Sequence, residues 1–393
     1  MKVVNLNAGI GMHSVAWADA MFQILGKDFV FLEFGRKGDG QYGSYRKATK
    51  GVDYYTSRPY IAKMKDDEHK AFRLINDADV LITAGEPLAL THERLCQKKL
   101  TFRQAERIFK TPLLKNPFRL YRLYSQYIRY TNPNYRKLCL SGFDANDMAY
   151  CGSSYHNKCY KFAYFTQIPQ LEINDVISSR RKDKMQLVWC ARFIGWKHPE
   201  LPLKLAEELI ASDRGNFEIK MIGADTMPLW HKIKSEVEKR GLHDHVILTG
   251  GMPNTEVLEQ MRKSHIFIFT SDRGEGWGAV LNEAMGAGCA CVASHEIGSV
   301  PFLLKNNENG MIFRSCSVDS LHEKVAYLYD NPEECVKLGK NAYQTITTEW
   351  SAHNAAERLV KLSESILAGH EISFDDGPCS KAYPINSNDL ILR

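Results

Sequence analysis

An α/β protein with two doubly wound domains is the fold class this sequence predicts, and three observations predict it. Short apolar runs alternate with helically spaced segments along most of the chain, the pattern of parallel sheets covered by helices. The alternation breaks at TQIPQLEINDVISSRRKDK (166–184), which is polar and charged, has one proline and shows no apolar period. A length of 393 residues suits two domains of ordinary size. Residues 1–170 are therefore expected to form the first domain and 180–350 the second, with a helix over 351–370, a tail over 371–393 and the linker within 166–184.

In the first domain, KVVNLN (2–7) reads as a strand, AGIG (8–11) as a glycine turn, and HSVAWADAMFQILG (13–26) as a helix stopped by Gly26. FVFLEF (29–34) is a strand, and 35–60, with five Gly and five Tyr, a long irregular loop. ADVLITAG (78–85) is a strand; KLCLS (137–141), a helical piece over 144–150 and CYKFAYF (159–165) complete the domain.

In the second domain the strands are MQLVWCAR (185–192), FEIKMIG (217–223), HVILTGG (245–251), HIFIFT (265–270) and CACVAS (289–294). The helices are LPLKLAEELI (201–210), PLWHKIKSEVEKRG (228–241), NTEVLEQMRKS (254–264), capped by Asn254, and AVLNEAMGAG (279–288). Further helices occupy 296–370, with NENGMIF (307–313) as a turn into a strand and SAHNAAERLVKLSESIL (351–367) as the last long helix. The tail has little periodicity and is expected to be poorly ordered.

Composition narrows the function classes. Ten cysteines are scattered without a C-x-x-C pair and read as reduced cytosolic thiols. The opening MKVVNLNAGIGMH lacks the apolar core of a signal peptide, and no run approaches the ~20 apolar residues of a spanning helix. The net charge of +5 is mild, but 94–137 holds twelve Lys and Arg against one acid, Glu106, with Phe and Tyr interleaved. That segment suits an anionic membrane surface or a lipid-diphosphate acceptor, unless it is a solvated helix face; no nucleic-acid motif accompanies it.

The chemistry concentrates in TSDRGEGWGAVLNEAMGAGCACVA (270–293). Gly274, Gly276 and Gly278 let the backbone turn sharply and approach a ligand, and strand, glycine turn and helix start together make an anion site. Glu275 in the turn and Glu283 eight positions later frame it; with a helix starting near Trp277, Glu283 lies roughly 9 Å down the axis at about 1.5 Å per residue. That span matches a diphosphate plus a sugar ring.

EGWGAVLNEAM resembles the Glu-x7-Glu donor signature of the retaining GT-B glycosyltransferases of glycosyltransferase family 4, with Trp277 where Phe is usual. The resemblance implies a GT-B fold of two Rossmann-like domains facing a cleft, with the last helix, 351–370, crossing back to the first domain. It gives Glu283 the ribose of a nucleoside-diphosphate sugar and Glu275 the hexose, with the amides of 274–278 as support. Arg192 and Lys197 match the family's GR…KG motif and would clamp the donor diphosphate, Arg as a planar fork and Lys as a point charge. Gly250, Gly251 and Met252, at a strand end, would hold the base. Gly9 and Gly11 would form the acceptor-side loop. The family's His-Glu-Pro is Gly85-Glu86-Pro87 here, so its histidine is absent; His92 is either a stand-in or a surface helix histidine.

KKLTFRQAERIFK (98–110) and KCYKFAYF (158–165) resemble stretches of bacterial surface-polysaccharide glycosyltransferases. The expected activity is thus retaining transfer of a hexose to a lipid-linked bacterial surface glycan, in the cytoplasm or at the inner membrane face, with no cofactor and no metal. The rivals are a GT-B sugar-nucleotide epimerase and a non-catalytic sugar-nucleotide-binding subunit. Donor sugar, base, acceptor, linkage and oligomeric state are not readable from the sequence.

Overall fold

The computed structural model describes residues 1–35, 58–85, 87–110, 118–130 and 132–392. Most of the loop expected over 35–60, as well as Glu86 and Lys115, lies outside the described residues. The chain divides into two compact units: Met1–Gln167 with Trp350–Ile385, and Ile168–Glu349 with Asn386–Arg393.

The first unit is built on seven parallel strands: β1 (Val3–Asn7), β2 (Phe29–Glu33), β3 (Ile61–Lys63), β4 (Val80–Ala84), β5 (Thr101–Ala105), β6 (Tyr135–Cys139) and β7 (Cys159–Lys161). Their order is β3-β2-β1-β4-β5-β6-β7. The helices are α1 (Val15–Leu25), α2 (Glu68–Asp77), α3 (His92–Cys96), α4 (Phe118–Gln126) and α5 (Asp144–Met148). Val4, Leu6, Leu32 and Leu81 pack against Ala71 and Ile75 of α2, which is why those strands read as continuous apolar runs.

The second unit opens with α6 (Ile173–Ser178) and alternates β8 (Met185–Cys190), α7 (Leu201–Ala211), β9 (Phe217–Ile222), α8 (Pro228–Lys239), β10 (Val246–Gly250), α9 (Asn254–Lys263), β11 (Ile266–Phe269), α10 (Val280–Gly286), β12 (Ala290–Ser294), α11 (Val300–Leu303), β13 (Met311–Phe313), α12 (Val318–Asp330) and α13 (Pro332–Thr347). Its six strands run in the order β10-β9-β8-β11-β12-β13, all parallel, over a core that includes Trp189, Phe193, Leu205, Ile268 and Val292. Helix α14 (Ala352–Leu367) belongs to the first unit and packs on α1; α15 (Asp389–Leu392) lies by β13.

Four readings of the sequence need correcting. The unit change falls between Gln167 and Ile168, inside the 166–184 stretch expected to hold it, but most of that stretch is part of the second unit: Ile168 lies against Gly286, Ile173 against Gly288, and α6 packs on α9 and α13. The tail is not loose. Cys379 N and Ala382 N donate to the carbonyls of Lys161 and Cys159, Lys161 N donates to Ser380, and Glu371 accepts from Tyr160 Oη and Arg136 Nη1, both at 2.6 Å. The tail thereby covers the open edge of β7.

The basic segment hides a central strand, β5, paired in register with β4 and β6. Several of its cations are internal. Arg94 is fully buried and donates to the carbonyls of Ile75, Asn76, Ala78, Asp79 and Leu100, and Lys137 is buried 3.5 Å from Asp144. Arg107 pairs with Asp147 and Arg136 with Glu371. Finally, α10 begins at Val280 rather than near Trp277, so Glu283 stands in its first turn and the 9 Å axial span does not apply.

Candidate active site

The C-terminal ends of parallel strands gather their connecting loops along one edge. At that edge of the second unit, the loop after β8 carries Arg192 and, in a 3₁₀ turn over Gly195–Lys197, Lys197; the loop after β11 carries Glu275. Hydrogen bonds to the backbone lock the two loops together. Thr270 Oγ1 donates to the Lys197 carbonyl at 2.6 Å and accepts from Trp189 Nε1 at 2.8 Å, while Asp272 N donates to the Trp196 carbonyl at 3.0 Å.

Lys197 Nζ forms an ion pair with Glu275 Oε2, both residues being 8% exposed. Ser271 Oγ also donates to Glu275 Oε2, at 3.2 Å. Arg192 is exposed; its guanidinium and Lys197 Nζ lie 6.0 and 4.4 Å from the centroid of the Trp196 ring. Two cations and one carboxylate thus converge on Trp196 and its neighbours.

The glycines of the turn are steric requirements at two positions. Gly278 has φ +87°, and a Cβ there would meet the Phe269 ring at 2.5 Å. Gly274 donates its N–H to Asp272 Oδ1 at 2.7 Å, and a Cβ would press on that oxygen and on Trp196 at 3.0–3.2 Å. Gly276 is buried. The Trp277 side chain, grouped by sequence with the donor contacts, is core: it is 1% exposed, donates Nε1 to Asn282 Oδ1 at 2.9 Å and lies against Phe302. Only its backbone stays in the turn.

Glu283 accepts from Asn254 Nδ2 at 3.0 Å through Oε1. Burial pushes its carboxyl up to about 7, with the Asn254 bond pulling the other way. Asn254 is therefore not the cap of α9, a position Pro253 takes, but the partner that orients Glu283. Gly250, at φ +73°, ends β10 at a register shift and accepts from Gly223 N; Gly251 is exposed and Met252 half-buried beside it.

In the first unit, Gly9 and Gly11 come directly after β1. Ile10 N donates to Glu33 Oε1 at 2.9 Å, and the Gly11 carbonyl starts α1 by accepting from Ser14 and Val15. His92 does not join them: its Nδ1 meets Tyr130 Oη at 2.8 Å, in the segment running into β6 at the opposite edge of the sheet. The histidine at the β1 edge is His13, which sequence reasoning passed over as the first residue of a helix. Its ring stacks on Tyr164 at 5.3 Å, and burial lowers it to about 4 against the opposing pull of Glu106.

The match to a known protein family falls within the second unit, where the cations and carboxylates gather. Residues 172–345 match the family model for glycosyl transferases group 1. The chain is 29% identical over 125 residues to the GDP-mannose-dependent alpha-(1-6)-phosphatidylinositol monomannoside mannosyltransferase of Mycobacterium tuberculosis, covering 30% of this chain and 32% of that protein. It is 25% identical over 146 residues to the lipopolysaccharide core biosynthesis mannosyltransferase LpcC of Rhizobium leguminosarum bv. viciae, covering 37% and 40%. The aligned stretch thus spans only 32% to 40% of these relatives. The structure of Anabaena HepE in complex with UDP and glucose superposes with a TM-score of 0.61 at 13% identity, covering 93% of this chain and 100% of that one. The fold is GT-B.

Proposed function

We propose that this chain is a retaining glycosyltransferase of family 4. It moves a hexose from a nucleoside-diphosphate sugar to a lipid-linked bacterial surface glycan, without a bound metal. The observation that carries this reading is the ion pair of Lys197 with Glu275, held by the Thr270 and Asp272 bonds beside the exposed Arg192. In transfer, the C1–oxygen bond of the donor breaks and its electron pair goes to the leaving diphosphate, while the acceptor hydroxyl oxygen bonds C1 and passes its proton to an oxygen of that diphosphate. The developing negative charge falls where Lys197 and Arg192 can take it, and Glu275, released from Lys197, is free to accept from hexose hydroxyls. Glu283, oriented by Asn254, accepts from the ribose.

The acceptor side is supported by the relatives' names, which specify a phosphatidylinositol mannoside and a lipopolysaccharide core, and by α4. Phe118, Tyr121 and Tyr124 of α4 and Ile128 just beyond it are exposed at helical spacing, Phe118 to 81% and Tyr121 to 70%, with Arg122 and Arg129 exposed among them. Leu123 and Tyr127 face inward. An aromatic stripe edged by cations is the pattern of a surface-lying helix at an anionic bilayer. No helix among the described residues is long and apolar enough to cross a membrane.

The test is a transfer assay with GDP-mannose, UDP-glucose and UDP-N-acetylglucosamine against bacterial glycolipid extracts, in the presence of EDTA. The expected result is one labelled glycolipid whose new linkage keeps the donor's anomeric configuration. An inverted product, or activity that vanishes with EDTA and returns with Mg²⁺, overturns the reading.

A further inference from the structure

His198 comes after Lys197, at the position where the GR…KG motif has glycine. Its backbone is left-handed at φ +49°, ψ +56°, a region that glycine enters readily and other residues seldom do. The side chain shows what is held there. Nδ1 lies 2.9 Å from Glu200 Oε1, at the foot of α7, and Nε2 lies 3.1 Å from Asp272 Oδ2, after β11. Cys316 Sγ, after β13, is 3.4 Å from the same Nε2. These are the titratable groups facing the ring. With a carboxylate at each nitrogen, both contacts are made only when both nitrogens carry protons.

Asp272 passes the contact on. Its second oxygen accepts from Gly274 N at 2.7 Å, its carbonyl accepts from Glu275 N at 3.0 Å, and its own N–H donates to the Trp196 carbonyl. One imidazolium therefore ties the turn that carries Glu275 to the loop that carries Lys197.

We propose that His198 is a positioning residue of the donor site: its doubly bonded imidazolium clasps the Lys197 loop to the Glu275 turn, and its protonation sets nucleoside-diphosphate affinity. The inference rests on the donor-site reading above. The hydrogen bonds to Glu200 and Asp272 outweigh the effect of burial and raise the imidazole above its ordinary value. The charged form thus persists beyond the pH at which a free histidine loses it. The clasp is complete on the acid side, opens as pH rises through the raised value, and donor affinity falls with it.

Calorimetric titration with UDP and with GDP between pH 5.5 and 9 tests this on wild type, His198→Asn and His198→Gly. Asn tolerates the left-handed backbone and keeps a donor but has no proton to lose; Gly fits the backbone and removes the clasp. Wild-type affinity is expected to fall by roughly fivefold or more across the alkaline range, a usual size for coupling between linked groups. His198→Asn should bind more weakly at pH 7 with no alkaline fall, and His198→Gly more weakly still, with neither melting below wild type. An alkaline fall that persists in His198→Asn overturns the proposal. Binding of neither nucleotide to wild type defeats the donor-site reading instead. The clasp is then judged by hydrogen exchange of the Gly274 and Glu275 amides at one pH: faster exchange in His198→Gly supports it, and equal exchange overturns it.

Discussion

The second unit's sheet edge and the first unit's basic segment both collect charge, and they use it in opposite ways. Lys197 has one carboxylate partner on a neighbouring loop, a partner that an arriving diphosphate can displace. Arg94 has five backbone carbonyls of its own unit, and Lys137 is sealed beside Asp144, whose carboxyl burial pushes up to about 7. A cation satisfied by fixed carbonyls has nothing left for a ligand; one held by an exchangeable side chain does. Density of Lys and Arg along a sequence therefore does not measure a binding surface until the partners are known.

Replacing the two kinds of cation should separate these roles. Arg94→Met strands five backbone carbonyls at about 1–3 kcal/mol each, so the first unit should lose ~5 kcal/mol or more, seen as a large drop in melting temperature. Unchanged melting would show that Arg94 is not a structural plug. Lys197→Met should act chiefly on turnover, which falls about 100- to 1000-fold, the usual effect of removing one group that stabilises developing charge, with a smaller loss of melting temperature because Glu275 is left as an unpaired buried carboxylate. Steady-state kinetics decides it, and retention of full turnover would remove Lys197 from the site.

Glu283→Gln probes the donor edge more gently, with a loss of about 1.5–3 kcal/mol, or roughly tenfold or more in nucleotide affinity. The wild-type carboxyl, raised to about 7, must ionise to accept ribose hydroxyls, so affinity should strengthen as pH rises through that value. The Gln variant should lack this acid limb; calorimetry across pH 5.5–8 would show it, and an identical profile in both proteins would unseat Glu283. The smallest effect belongs to α4, with its half-buried Arg119 and exposed Arg122. Reversing Arg119 and Arg122 to Glu should cost about 1 kcal/mol of bilayer attraction for each charge removed, fading with salt. Sedimentation with anionic vesicles measures it; wild type that sediments equally with neutral vesicles would make α4 a solvated face.

What the sequence disclosed depended on the range of the forces involved. Strands β8, β11 and β12 were legible because both faces are covered and their apolar runs are continuous. Gly278 was legible because a left-handed turn against Phe269 excludes side chains. The resemblance named Lys197, Glu275 and Glu283, yet what holds each of them was invisible. Asn254 looked like a helix cap because residue type and position allow that use, and only the folded sheet brings it to Glu283. Arg136 meets Glu371 across 235 residues, so neither the burial of the first nor the order of the second has a local signature. Strand β5 was hidden because Arg103 interrupts the alternation, although the fold buries it. Trp277 looked like a ligand contact because it sits among the glycines of the turn, yet its ring is turned into the core.

The contribution of residues 350–385 to the first unit has a consequence for the order of folding. The tail segment on β7 and helix α14 on α1 are synthesised after the whole of 168–349, yet they complete a unit begun at Val3. Nearly all of the second unit lies between them and the rest of the first unit in sequence, in 168–349. On the ribosome the second sheet is whole while the first still waits with β7 uncovered, a vulnerable edge in a slowly closing, long-range topology. Arresting nascent chains before and after residue 385 and probing them with protease should show protection of 168–349 first, and of the first unit only once the tail has emerged.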